Sequence, residues 1–152
     1  MSETFVLRYA EAEDATAIRQ LTREAYSKWV AVIGREPKPM TADYEAAVRT
    51  HRFDLLMLGD TLAGLVETVD LGHAMLIENL AVSPRFQRRG LGTRLMSHAE
   101  GLARALGRDR IELYTNKRFC GNVELYLRLG YTIRREEDLG GGTVRVDMGK
   151  AI

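Results

Sequence analysis

The period of the hydrophobic positions changes several times along this chain, and each change marks the boundary of a predicted element. The run "TFVLRY" (residues 4–9) has the make-up of an opening strand. Behind it, "EDATAIRQLTREAYSKW" sets Ile18, Leu21, Ala25 and Trp29 at helical spacing, with Asp14 as the expected cap. In "GREPKP" two prolines flank Lys38 and forbid regular helix, which makes this stretch a candidate flap. "TADYEAAVRTH" then resumes a helix, with Thr41 in the capping position.

Three apolar runs follow, "FDLLML", "TLAGLVETV" and "AMLIENLAV", parted by Gly59-Asp60 and by Asp70-Leu71-Gly72. Short turns between such runs predict an antiparallel meander, and the interspersed glycines argue against helix. From Gly90, "GLGTRLMSHAEGLARALG" carries Leu91, Leu95, Ala99, Leu102 and Leu106 on one face and stops at Gly107. "RIELYT" reads as a strand, "NVELYLRLG" as a short helix ended by Gly130, and "YTIRRE" and "TVRVDMG" as the last two strands. The expected architecture is a single α/β domain over residues 1–152, a mixed sheet of about seven strands with about four helices and parallel pairing near the long helix.

Composition narrows the function classes. A chain of 152 residues, 45% hydrophobic and 28% charged, fits one globular domain with one core. Its 22 basic and 21 acidic residues leave a net charge of +1, so no global field draws it to nucleic acid or anionic lipid. The amino terminus is acidic where a signal peptide is basic, and no apolar run approaches a membrane span, so the cytoplasm is the expected compartment. The single Cys120 excludes an internal disulfide and has no neighbouring sequence cue for an activating base, which reads as an inert thiol. His51, His73 and His98 are scattered without metal-ligand spacing, so no metal is expected.

The most informative stretch runs from Leu76 to Met96, "LIENLAVSPRFQRRGLGTRLM", where a strand meets a glycine-rich bend and a helix start. A helix amino terminus leaves backbone N–H groups unpaired and carries partial positive charge, so it can hold phosphate. Gly90 and Gly92 remove side chains that would obstruct a diphosphate, while Arg88 and Arg89 add charge at the rim. Glycine in a first helical turn costs about 1 kcal/mol relative to alanine, which makes Gly92 hard to dismiss as accidental. The Lys-Ser/Thr pair of a P-loop is missing, as is the third glycine of a dinucleotide fingerprint.

Gln87, Gly90 and Gly92 match the Q/R-x-x-G-x-G/A motif of the GNAT superfamily of N-acetyltransferases, which this segment resembles. The likeness extends over most of the chain, through the opening strand and helix, the meander and the later "NVELYLRLGY". It implies acetyl-CoA as the acetyl-donor cosubstrate and a splayed pair of strands, "ENLAV" and "RIELYT", with the pantetheine arm between them. Leu80, Ala81 and Val82 would flank that arm, the main-chain groups of Leu80 and Val82 pairing with its amides. Gln87 and the amides of Arg88, Arg89, Gly90, Leu91, Gly92 and Thr93 would hold the diphosphate. The resemblance also makes Tyr126 the donor to the departing thiolate. Many members carry asparagine seven positions before that tyrosine, where this chain has Phe119; Asn122 is assigned in its place, with Asn116 as the alternative.

Transfer to an amine needs an uncharged nitrogen, although an alkylamine has a pKa near 10, so a group must accept its proton. Glu78, two residues before Leu80 and expected on the same strand face, is the candidate base. The competing reading is a carboxylate held for structural reasons or solvated at a strand end. His73 follows the turn at Gly72 and reads as a surface histidine.

By the same resemblance the acceptor, a primary amine of a small molecule or a peptide amino group, enters between Tyr26 and Tyr44 and the "LGGGT" turn. Trp29 is either core or pocket wall. Gly140 to Gly142 suggest a hairpin tip, and the acidic run Glu136-Glu137-Asp138 beside it has the charge to attract a cation. A homodimer is common in the family, and no segment here declares an interface. The rival readings are a non-catalytic coenzyme A-binding sensor or interaction module, and a binder of another nucleotide.

Overall fold

The structure, a computed structural model, describes residues 4–152; Met1 to Glu3, which open the acidic amino terminus, lie outside the described residues. Its elements run β1 (Phe5–Tyr9), α1 (Ala15–Ile33), α2 (Lys38–Thr41), α3 (Tyr44–Thr50), β2 (Arg52–Leu58), β3 (Thr61–Asp70), β4 (Met75–Val82), α4 (Leu91–Ala105), β5 (Arg110–Asn116), α5 (Cys120–Arg128), β6 (Thr132–Gly140) and β7 (Thr143–Ala151). The strands form one seven-stranded sheet in the order β1-β2-β3-β4-β5-β7-β6. Among the described residues only β4 and β5 pair in parallel, on either side of α4, as the sequence pattern predicts.

Several boundaries differ from expectation for local reasons. Asp14 does precede α1, but its carboxylate is engaged by the Arg8 guanidinium at 2.9 Å and by the Glu11 amide at 2.8 Å, and it caps no α1 amide. Thr41 ends the single turn of α2; the cap of α3 is Asp43, whose Oδ1 accepts from the Ala46 amide at 3.1 Å. The turn of α2 tolerates Pro39 because a first helical turn needs no amide donor there. α5 starts at Cys120, two residues before the expected Asn122. β6 runs on to Gly140, so the acidic run lies within a strand. There Glu136 meets Lys117 at 3.0 Å, and Glu137 meets Arg135 at 3.5 Å.

Both faces of the central sheet are covered. α4 lays the fully buried Leu95, Met96 and Ala99 over Val66, Met75, Ile77 and Ile111. On the other face, Ile18 and Leu21 of α1 and Tyr44 of α3 pack on Phe53, Leu55 and Leu65. Burying each of the larger side chains contributes about 1.5–3 kcal/mol. β2 sends Phe53 and Leu55 to one core and Leu56 to the other, which is why "FDLLML" is nearly continuous in apolar character.

β4 changes its alternation once. Met75 and Ile77 enter the core beneath α4, and Leu80 and Val82 pack against that same core, three residues on from Ile77 rather than two. The pairing with β3 shows the cause: Thr68 faces Ile77 and Glu67 faces Asn79, so Glu78 is an extra residue, a β-bulge. The expectation that Glu78 shares a face with Leu80 is therefore corrected. Both Glu78 and Asn79 turn toward the α1 side, where Asn79 Nδ2 donates to Thr22 Oγ1 and to the Tyr44 hydroxyl, each at 3.3 Å.

Candidate active site

The parallel pairing of β4 with β5 covers only Met75–Ile77 opposite Ile111–Leu113, and the strands part from the bulge onward. Ser83 gives its amide to Ala63 of β3 at 2.8 Å, so by strand alternation Val82 and Leu80 direct their backbone groups to the opposite edge, toward the parting. Ala81, between them, directs its backbone toward β3 and its side chain into the α1-side core. The Leu80 carbonyl accepts from the Tyr26 hydroxyl at 3.3 Å, and the Val82 carbonyl from Gln87 Nε2 at 3.4 Å.

Beyond Val82 the chain enters the glycine-rich bend. Arg88 and Gly90 both have left-handed backbone, with φ of 65° and 76°, and Gly90 stands immediately before α4. The helical ladder opens with the Arg94 amide donating to Gly90 at 3.0 Å, which leaves the amides of Leu91, Gly92 and Thr93 in the turn that has no intrahelical acceptor. The Arg89 guanidinium lies 5.4 Å from the Phe86 ring, and Arg88 is exposed. A Cβ built on Gly92 would meet only Leu125, at 3.6 Å, an ordinary contact. Packing within the protein thus does not require glycine at 92, and the position is open to the close approach of a ligand. The residues present fit a coenzyme diphosphate.

Across the sheet, between α1, α2, α3 and the β6–β7 hairpin, lies a cavity of about 540 Å³. Tyr26, Tyr44, Tyr114 and Phe119 wall it, and Glu67, Glu78, Asn79 and His51 bring its polar groups. The Tyr114 hydroxyl donates to Glu78 Oε1 at 3.1 Å. Burial, and then the charge of Glu78, push the Tyr114 hydroxyl up to about 12, so it stays a donor through the neutral range. His51 Nδ1 and Glu67 Oε2 share a hydrogen bond of 2.6 Å. Burial raises the pKa of Glu67 against the opposing pull of His51, and the nearby Glu78 raises it further. At the mouth, Arg35 donates to Thr143 Oγ1 at 2.7 Å and Arg118 to the Val32 carbonyl at 3.2 Å. The segment after α1 and the glycine hairpin are thereby clasped together.

The predicted residues divide between the two sides of the parted strands. Glu78 belongs to the cavity. Gln87 through Thr93 lie at the start of α4, joined to the strand edge by Gln87. Tyr126 is buried in the α4-side core, edge-on to Tyr131 at 6.2 Å, and its hydroxyl has no hydrogen-bond partner among the described residues. Burial raises its pKa well above the ordinary 10.0. Asn122 is half-buried on α5, its amide donating to Phe119 at 3.0 Å. Asn116 instead lines the cavity, with Oδ1 accepting from the Arg118 amide at 2.9 Å. Phe119 is buried and stacks on Trp29 with centroids 4.7 Å apart. Trp29 thus backs the wall residue Phe119. His73 is a surface histidine, 3.8 Å from Glu112. Tyr26 and Tyr44, which bound the segment expected to admit the acceptor, do line the cavity, whereas Tyr114, His51 and Glu67 went unassigned in the sequence; only the paired polar residues Glu78 and Asn79, shifting the apolar alternation of β4, signalled the bulge.

A sheet with one short parallel pair that opens beside a glycine-led helix defines an acyltransferase of the GNAT type. The profile of the Acetyltransferase (GNAT) family matches residues 15–131, and the chain belongs to that family. It is 35% identical over 71 residues to mouse N-alpha-acetyltransferase 80, a match covering 47% of this chain and 21% of that protein. Among solved structures it is similar to a GNAT-family protein from Desulfovibrio desulfuricans, with a TM-score of 0.82, 16% identity, and coverage of 97% of this chain and 99% of the other. It is also similar to PaiA N-acetyltransferase from Thermoplasma acidophilum in complex with coenzyme A, with a TM-score of 0.77, 18% identity, and coverage of 98% and 99%. No helix among the described residues is long and apolar enough to cross a membrane.

Proposed function

We propose that the protein transfers an acetyl group from acetyl-CoA to a primary amine, of a small molecule or of a peptide, by direct attack of the amine on the thioester. The observation that carries this reading is the parting of β4 from β5 at Glu78, with an aromatic-walled cavity on one side and the start of α4 on the other. The solved coenzyme A complex of the Thermoplasma relative supports the same ligand here. The coenzyme supplies an activated acyl carbon and a thiol leaving group.

The chain's own groups then have distinct tasks. The amides of Arg88 through Thr93, with the charges of Arg88 and Arg89, hold the diphosphate. Leu80 and Val82 offer a strand edge that β5 does not cover to the pantetheine amides, Gln87 steadies that edge, and Asn122 contacts the coenzyme from α5. Glu78, oriented by Tyr114, accepts the proton of the entering amine. Tyr126, on the opposite side of the sheet, donates from its hydroxyl to the departing sulfur. Its raised pKa keeps that proton available.

The test is mass spectrometry of a panel of amines and peptides incubated with acetyl-CoA, beside calorimetry with coenzyme A. A gain of one acetyl group by an amine supports the proposal. Coenzyme binding with no turnover over a broad panel points instead to a sensor module, and no binding at all removes the basis of the reading.

A further inference from the structure

Acetylation of an ammonium ion gives an amide, a thiol and one net proton. The C–N bond forms and the C–S bond breaks; nitrogen gives up two protons, of which one ends on sulfur and the other must leave the site. The proton set free beside Glu78 therefore needs a group in the cavity to take it onward. We propose, building on the acyltransferase reading, that Glu67 and His51 are the exit for this proton, Glu67 receiving it from Glu78 and His51 delivering it to solvent.

The bulge creates the first half of this route. In an unbroken strand Glu78 and Asn79 would face opposite ways; the extra residue turns both toward the α1 side, where Glu67 stands across from Asn79. Glu67 and Glu78 therefore line one cavity, and the charge of Glu78 reaches Glu67. Two carboxylates that line one cavity can exchange a proton through an intervening water. The Glu67 side chain is only 4% exposed and could not itself release a proton to water.

His51 completes the route. It follows α3 at the cavity edge, its side chain is 32% exposed, and its Nδ1 lies 2.6 Å from Glu67 Oε2. One ring nitrogen meets the buried carboxylate, and the other is available to reach water, the arrangement a proton shuttle needs. The other titratable or charged groups lining this cavity are Tyr26 from α1, Arg35 and Glu36 after it, Lys38 from α2, Tyr44 from α3, Tyr114 from β5, Arg145 from β7 and Glu78 from β4. The three tyrosines are held protonated well beyond neutral pH, which leaves the carboxylates and His51 to carry the exchange. Glu67 and His51 act through Glu78 and are positioning residues.

The experiment compares wild type, Glu67→Gln, His51→Ala and the double variant, using acetyl-CoA and the amine that wild type acetylates fastest. Each single variant is expected to lower kcat about tenfold, with KM for acetyl-CoA unchanged, and to move the acidic limb of the pH–rate profile. The double variant should be no slower than the worse single one, because both interrupt one route. Added imidazole should restore His51→Ala and leave Glu67→Gln unrestored, a split that a purely structural role would not produce. Wild-type rates with an unmoved profile in Glu67→Gln, or a His51→Ala loss that imidazole does not restore, overturn the relay alone. A wild-type protein that binds acetyl-CoA and acetylates nothing overturns the acyltransferase reading and the relay with it.

Discussion

The Tyr114 hydroxyl and the Glu78 carboxylate, 3.1 Å apart, bridge β5 and β4 just past the point where the two strands cease to pair. A hydrogen bond to a charged group contributes about 1.5–3 kcal/mol, here to holding one carboxylate rotamer at the floor of the cavity. Tyr114→Phe should lower kcat about fivefold to tenfold, and Glu78→Gln by about a hundredfold with loss of the acidic limb of the pH profile. Steady-state kinetics across pH checks both; unchanged turnover in Glu78→Gln removes it as the base.

Tyr126 packs its ring into the opposite core. Phenylalanine fills the same space, so Tyr126→Phe should fold normally and bind acetyl-CoA with wild-type affinity. Its kcat should fall about tenfold or more through loss of the donor. Calorimetry and a thiol-release assay read the two quantities separately.

Gly92 separates the needs of the fold from those of the ligand. The space beside it admits a methyl group, with Leu125 at 3.6 Å, and alanine favours helix over glycine. Gly92→Ala should raise stability by about 0.5–1 kcal/mol in chemical denaturation while weakening coenzyme A binding. A variant that binds as well as wild type would show that no ligand approaches this position.

A further prediction concerns the turn between β3 and β4. Asp70 accepts from the Gly72 amide at 2.9 Å and meets Arg108 at 2.8 Å, and its pKa falls from 3.8 to about 2, chiefly through the Arg108 hydrogen bond. A carboxylate depressed in the folded state adds stability that is present above its unfolded pKa and is lost as pH falls through the folded value. Asp70→Asn should lower Tm at pH 7, and the gap from wild type should close as pH falls from near 4 toward 2. Thermal melts over that range check it.

The sequence was informative wherever the cause was local. Turn glycines, apolar periodicity and the Gly90–Gly92 bend specified all seven strands, the long helix and the loop that opens it, because each depends on neighbours a few residues away. The Thr41 cap failed on an equally local competition, since Asp43 was the better-placed oxygen. The cavity was less legible. Glu67 and His51 are 16 residues apart and meet only because β2 pairs with β3, and no spacing rule joins them. The bulge left a readable trace in the apolar positions 75, 77, 80 and 82, but a strict two-residue period hides it and places Glu78 on the wrong face.

If Glu78 is the base, as proposed, that single extra residue separates architecture from reactivity. Were Glu78 removed outright rather than replaced, Ile77 and Asn79 would become consecutive partners of Thr68 and Glu67, and the ladder with β3 would run without interruption. Leu80 and Val82 would keep their places under α4. Such a deletion should yield a tidier, well-folded sheet with no chemistry left in it, the inverse of the usual rule that shortening a central strand is ruinous.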